Sequence, residues 1–391
     1  MQYTPYGQYG QYGQTEEELK KKRRKKRRRR IRRFVLLLIL IAVLRKPAVS
    51  GKIGQLIGRM PVIGGVQEDS QLTAQQEDSR QSSQPDASDS DAESRPDRPE
   101  QPEQEKAAVS EELLAVMREA ALEFEQEVVL DTDITDGKTS EQLTEMIGAT
   151  FREMKRRNPE LFWIKGYAAA IVTNGNTGEL QQSPEITFSF DDDYSESELK
   201  EMAQEMKQEA KRIIDTAPKT GSDYEKALFV HDYLVEHTFY DLEGYRKGSD
   251  RMIYTAYGAL VNHAAVCNGY AAAYQYLLRK LGVNCMIATG TVKESARSDL
   301  AKNAGSDGGH AWNWVELDGK FYWVDVTWDD PLNEDGQDAG GPVRHEYCFV
   351  DDNKISETRM LDEDNADPPV CIDMTLNDQL MEADRKAAEN P

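Results

Sequence analysis

From residue 110 onward, apolar stripes of helical period alternate with short apolar runs. Leu113, Leu114, Met117, Ala121 and Phe124 recur at helical spacing behind Ser110, a residue type suited to an N-cap. A second helix is predicted over Ser140–Arg157, ended by Pro159. Phe162–Val172 and Glu185–Phe190 read as strands parted by the turn-rich Asn174-Gly175-Asn176. Leu199, Met202, Met206, Ala210, Ile213 and Ile214 mark a helix that stops before Pro218. Tyr224–His237 is another, with Ala227, Val230, Leu234 and Val235 on one side. Ala264–Gly282 contains a fifth, striped by Tyr270, Tyr274, Leu277, Leu278 and Leu281 and closed by Gly282. Val283–Thr289 reads as a strand and Glu294–Gly309 as a polar loop. Two strands follow, His310–Leu317 and Lys320–Asp329, joined by Asp318-Gly319, a strong short hairpin signal. The fold class expected is α+β.

Before residue 110 the periodicity disappears. Residues 1–33 comprise three Tyr-Gly-Gln units (Tyr6–Gln14) and a tract, Lys20–Arg33, with 13 basic residues in 14 positions. An apolar run of 11 residues, Phe34–Leu44, lies at the centre of the next segment, 34–46. Residues 47–109 are dominated from 66 onward by Gln, Ser, Asp, Glu and Pro, which bury too little to offset chain entropy, so a disordered linker is expected. Net charge sharpens this division. The overall value of −22 combines 15 basic and three acidic residues in 1–46 with 33 basic and 67 acidic residues in the rest. An acidic bulk argues against nucleic acid as a partner. A basic block ahead of a Leu/Ile-rich run predicts entry into a membrane with the N-terminus cytoplasmic. The run is shorter than the roughly 17–25 residues of a spanning helix, but Arg33 and Arg45 can snorkel and lengthen it. Ala48-Val49-Ser50 offers small residues to a signal peptidase, so secretion after cleavage is the alternative. The long leader favours an uncleaved single-pass anchor with the folded part outside.

The hairpin carries the chemistry. A two-residue turn at Asp318-Gly319 pairs Leu317 with Lys320, and paired numbers then always sum to 637. His310 falls opposite Thr327 and Asp325 opposite Trp312, all on one face. His310 and Asp325 are diagonal neighbours, with backbones roughly 7–8 Å apart or less. Cys267 immediately precedes the predicted Tyr270–Leu281 helix, where the positive end of the dipole favours a thiolate. The roles follow: Cys267 as nucleophile, His310 as base and acid, Asp325 as the group orienting His310.

These residues lie in three segments, DYEKALFVHDYLVEHTFY (Asp223–Tyr240), TAYGALVNHAAVCNGYAAAYQYLLRKLGV (Thr255–Val283) and GHAWNWVELDGKFYWVDVTWDDP (Gly309–Pro331). Together they resemble the transglutaminase-like domain, a branch of the papain-type cysteine fold, in a membrane-anchored bacterial form. The resemblance implies a catalytic helix packed on an antiparallel sheet, with Cys267, His310 and Asp325 as the triad. It implies no cofactor and no metal. It assigns 223–360 to the catalytic domain, leaving 110–222 as an N-terminal α+β region and 361–391 as a partly disordered extension. His345–Phe349 sits like the strand after the triad.

The expected function is cysteine acyl transfer on peptide or protein amides through a thioester, with hydrolysis favoured over amine transfer. The alternative is a non-catalytic module binding peptide or cell wall on the same fold. Trp312 is a candidate wall of the site and Tyr257 a candidate oxyanion donor, although the Cys267 backbone N–H needs only the helix start to serve. His231, His237, His263 and His345 lack ligand spacing and read as structural. Asp131, Asp133 and Asp136 fail as a calcium loop, because Asp136 stands where Gly is needed and Gln142 where Glu is needed. Cys285 reads as core, and Cys348 and Cys371 as a possible disulfide pair in an oxidising compartment.

Overall fold

The computed structural model describes residues 64–68, 109–248, 250–296, 308–330, 332, 341–362, 365 and 368–389. The Tyr-Gly-Gln repeats, the basic tract and the apolar segment expected to anchor the chain lie outside the described residues, as does most of the 294–309 loop. Among the described residues no helix is long and apolar enough to cross a membrane.

Local signals place the N-terminal elements. Helix α1 (Glu111–Leu122) begins where the Ser110 hydroxyl accepts the Leu113 N–H. Helix α2 (Ser140–Arg157) begins at a reciprocal capping box between Thr139 and Gln142. Helix α3 (Glu196–Thr216) has the same device between Ser195 and Glu198. Strands β1 (Gly64–Glu68), β2 (Glu127–Val129), β3 (Ile164–Ala170) and β4 (Glu185–Phe190) form one antiparallel sheet in the order β1-β3-β4-β2. The first of these lies within 47–109, the segment expected to be a linker. Gly64–Glu68 pairs through its backbone with β3, and composition registers side chains rather than the unpaired peptide groups of a strand edge.

The second half is built around one helix. Helix α4 (Asp223–His237) starts at a Ser222/Glu225 capping box. Short strands β5 (Phe239–Tyr240) and β6 (Ala264–Ala265) pair in parallel, and α5 (Ala256–Leu260) lies between them in sequence. Helix α6 (Cys267–Lys280) is buried on almost every side, as its run of Ala271–Ala273 beside Tyr270, Tyr274 and Leu277 requires. It packs on β7 (Cys285–Val292) and β8 (Gly309–Leu317). With β9 (Lys320–Val324), β10 (Cys348–Val350) and β11 (Arg359–Leu361) these form an antiparallel sheet ordered β10-β9-β8-β7-β11. Helices α7 (Val326–Asp329), α8 (Asp352–Thr358) and α9 (Thr375–Glu389) complete the chain. One apolar cluster runs from Leu113 to Leu380, joining residues of both sheets. A smaller one gathers Trp312, Trp323, Trp328, Tyr347, Val350 and Ile355.

The hairpin register is the expected one from Asn313↔Val324 to Leu317↔Lys320. Both turn residues have positive φ, Asp318 at 50° and Gly319 at 75°, as a tight primed turn demands. The second strand ends earlier than its apolar pattern suggested. At Asp325 the ladder stops and the carboxylate caps α7, accepting the Trp328 N–H at 3.2 Å, so Thr327 does not pair with His310. Part of the C-terminal extension packs back on the core. Residues 375–389 are helical, Leu380 enters the core, and the Asn377 amide donates to the His345 and Cys348 carbonyls at 2.8 and 2.9 Å.

Candidate active site

Cys267 opens α6 behind Val266, which supplies no side-chain cap, so the positive end of the helix dipole is left to the thiol. The thiol donates to Asn268 Oδ1 at 3.5 Å and packs with Ala271 and Ala311. Its burial is nearly complete, at 6% exposure. His310, near the start of β8, bonds through Nε2 to Asp325 Oδ2 at 2.6 Å. The opposite ring atom, Nδ1, is buried with no hydrogen-bond partner among the described residues. Burial works against the imidazolium, but the Asp325 carboxylate and then the Cys267 thiol outweigh it and raise the His310 pKa to about 9. Burial likewise opposes the Asp325 carboxylate, yet His310 and Arg359 bring its pKa down to about 2. A cysteine, a histidine and an aspartate thus stand in electrostatic contact, held by a helix start, a strand and a helix cap. In chemical terms this is a nucleophile, a proton carrier and an orienting group.

Residues 209–327, which contain all three groups, match the family model of the transglutaminase-like superfamily. This part of the chain is similar to the transglutaminase-like domain. Among curated proteins, the kyphoscoliosis peptidase of Mus musculus is 28% identical over 138 residues, covering 35% of this chain and 21% of that protein. The kyphoscoliosis peptidase of Homo sapiens is 26% identical over 175 residues, covering 41% and 26%. The chain therefore spans about a quarter or less of the length of these relatives. A solved TGase structure shares 16% identity over 46% of this chain and 50% of its own, with a TM-score of 0.27. An arylamine N-acetyltransferase from Bacillus cereus, described with a Cys-His-Glu catalytic triad, shares 15% identity over 31% of this chain and 48% of its own, with a TM-score of 0.25.

Within the matched segment and the elements that follow it, several site residues carry no sequence signal. Arg359 enters from edge strand β11 and donates from Nε and Nη2 to Asp325 Oδ2 at 3.0 and 2.5 Å. Its guanidinium lies 3.5 Å from the Trp328 ring centroid and 4.4 Å from that of Tyr347. Trp328 also flanks His310, at 5.6 Å between ring centroids. Tyr240 is buried at the end of β5; burial raises its pKa, with Cys267 the next contributor. None of these follows from periodicity, because each arrives from a different element.

Of the secondary candidates, Trp312 does border the site. Its ring stacks 5.7 Å from that of His310, and its indole N–H is buried without an acceptor among the described residues. Tyr257 does not fit the oxyanion role. Its hydroxyl donates to Glu205 on α3 at 2.7 Å and its ring stacks on Phe162, which turns the phenol toward another element. Cys348 and Cys371 are free buried thiols, as are Cys267 and Cys285, so no disulfide joins them. His237 bonds the Tyr233 carbonyl, one turn back in its own helix. His231 and His345, far apart in sequence, meet at Asp232. Among the described residues these three form the group able to hold a metal.

Proposed function

We propose that the chain is a cysteine-dependent acyl-transfer enzyme acting on peptide or protein amides. The supporting observation is the placement of His310, bonded to Asp325 at 2.6 Å through one nitrogen, with the next residue, Ala311, packed against Cys267. The Cys267 sulfur attacks the amide carbonyl carbon while the Cys267 backbone N–H receives the oxyanion. The C–N bond breaks as the imidazolium of His310 protonates the leaving amine, and a thioester remains. Water, or an amine, then attacks the thioester; His310 takes its proton, and the carboxylic acid or new amide departs as sulfur is released. Asp325 stays ionised and holds the ring. Hydrolysis is favoured, since water needs no acceptor site. The test is turnover of amide substrates by the full chain and by Cys267→Ala; equal rates would end the catalytic reading.

The near-complete burial of Cys267 favours one competing reading, a peptide- or cell-wall-binding module on the same fold. Iodoacetamide labelling at pH 6 separates them: a binding module labels no faster than a free thiol. For location, the reading supported by Lys20–Arg33 ahead of Phe34–Leu44 is a membrane anchor with the catalytic domain outside. Release of the chain from membranes by salt alone would remove that part of the proposal.

A further inference from the structure

Apart from the triad, one cluster joins groups from three elements. His231 and Asp232 are consecutive in α4, and His345 reaches them from a position 113 residues beyond Asp232. His231 Nδ1 and His345 Nε2 each stand 3.0 Å from Asp232 Oδ1. The three ligand atoms lie within 4.8 Å of one another. Each imidazole is also fixed from behind. His231 Nε2 bonds Asp329 Oδ2 at 3.0 Å, with both side chains wholly buried, and His345 Nδ1 bonds the Asp384 carboxylate at 2.9 and 3.1 Å.

We propose that His231, Asp232 and His345 form a binding site for a first-row divalent transition metal of the zinc type, with Asp329 and Asp384 orienting the two imidazoles.

Three features of the cluster point to this ligand. First, a metal-bound histidine almost always gives its other ring N–H to a carboxylate, a backbone carbonyl or water, and here both rings face carboxylates. Second, tetrahedral zinc with bonds of about 2.0–2.1 Å spaces its donor atoms roughly 3.3 Å apart, close to the two 3.0 Å contacts. Third, three carboxylates surround the two imidazoles and call for positive charge. Among the described residues no Lys or Arg is ion-paired with Asp232, Asp329 or Asp384. Without metal, all four imidazole contacts to carboxylate oxygens are hydrogen bonds when both rings are doubly protonated. One divalent cation replaces the two inner protons, on His231 Nδ1 and His345 Nε2, and leaves the total charge unchanged. Two nitrogens and one oxygen select zinc-like ions over calcium or magnesium, which prefer all-oxygen shells. The Asp232 side chain is 28% exposed, so water can fill a fourth position.

The bound ion would tie α4 to the segment before β10 and, through Asp384, to α9. Through Asp329 it would also brace α7, whose cap is Asp325. The test is metal retention by the full 391-residue chain after chelation, one equivalent of ZnCl2 and dialysis, read by mass spectrometry. One zinc per chain is expected in the wild type and in Cys267→Ala, and none in Asp232→Ala or His345→Ala. Asp384→Asn, at a partly exposed second partner, should retain its fold and bind about 10–100-fold more weakly. Cobalt(II) in the site should show visible bands without a sulfur charge-transfer band. Failure of the wild type to retain zinc, equal retention in Asp232→Ala, or a sulfur-to-cobalt band lost in Cys267→Ala would each overturn the proposal.

Discussion

Arg359→Met isolates the electrostatics of the site. Arg359 and Asp325 are 2% and 1% exposed, and the guanidinium donates twice to Asp325 Oδ2. With His310 charged, two cations face one carboxylate. Met keeps much of the arginine's length and lies flat against Trp328 and Tyr347, so the loss is chiefly of charge and hydrogen bonds. Removing one partner of a buried pair costs about 3–5 kcal/mol. His310 remains on Asp325, which places the expected loss near the low end, about 3 kcal/mol. Urea unfolding followed by tryptophan fluorescence reads this directly, since Trp312 and Trp328 adjoin the guanidinium. For an m-value of about 3 kcal/mol/M the midpoint falls by about 1 M. Arg359 helps to lower the Asp325 pKa, so acid unfolding of the variant should begin at higher pH than in the wild type. Asp325→Asn combined with Arg359→Met should lose less than the sum of the single changes. A loss below about 1 kcal/mol for Arg359→Met, or strict additivity in the double variant, would refute the reasoning.

Other outcomes follow from the same geometry. A Cβ at Gly290 would stand 2.0 Å from the Met360 carbonyl oxygen and 2.6 Å from Trp312 Cη2, so Gly290→Ala should loosen β11, withdraw Arg359 and cost about 2–3 kcal/mol in urea unfolding. The His310 pKa is raised from 6.5 to about 9, so its contribution is full below pH 6.5 and lost as pH rises through 9, roughly 3 kcal/mol in all. His310→Gln should flatten the stability profile over that window; an unchanged slope would place the titration elsewhere. Tyr257→Phe should leave kcat within about twofold and cost about 1 kcal/mol of stability, because its hydroxyl serves Glu205; a hundredfold fall in kcat would restore it to the oxyanion site.

Much of the site is legible in the chain because its geometry is local. Asp318-Gly319 dictates a tight turn, the turn sets the 637 register as far as Asn313↔Val324, and Asp325 follows at its end within hydrogen-bond reach of His310. The Cys267 position at a helix start follows from the apolar stripe behind it. The helix start at Ser110 was equally readable, since a cap bonds within its own first turn; the caps at Thr139, Ser195 and Ser222 are of the same local kind. Even in the hairpin, strand pattern alone overran Val324, because an apolar run does not reveal where a carboxylate will leave the ladder to cap a helix.

Tertiary structure alone decided the partners that stand far apart in sequence. Arg359 reaches Asp325 across 34 residues, Asp232 meets His345 across 113, and Gly64–Glu68 joins a strand about a hundred residues away. Period and spacing describe which face a residue occupies on its own element. They carry no information about which other element will be laid against that face, and a buried charge or an unpaired strand edge is satisfied only by what arrives there.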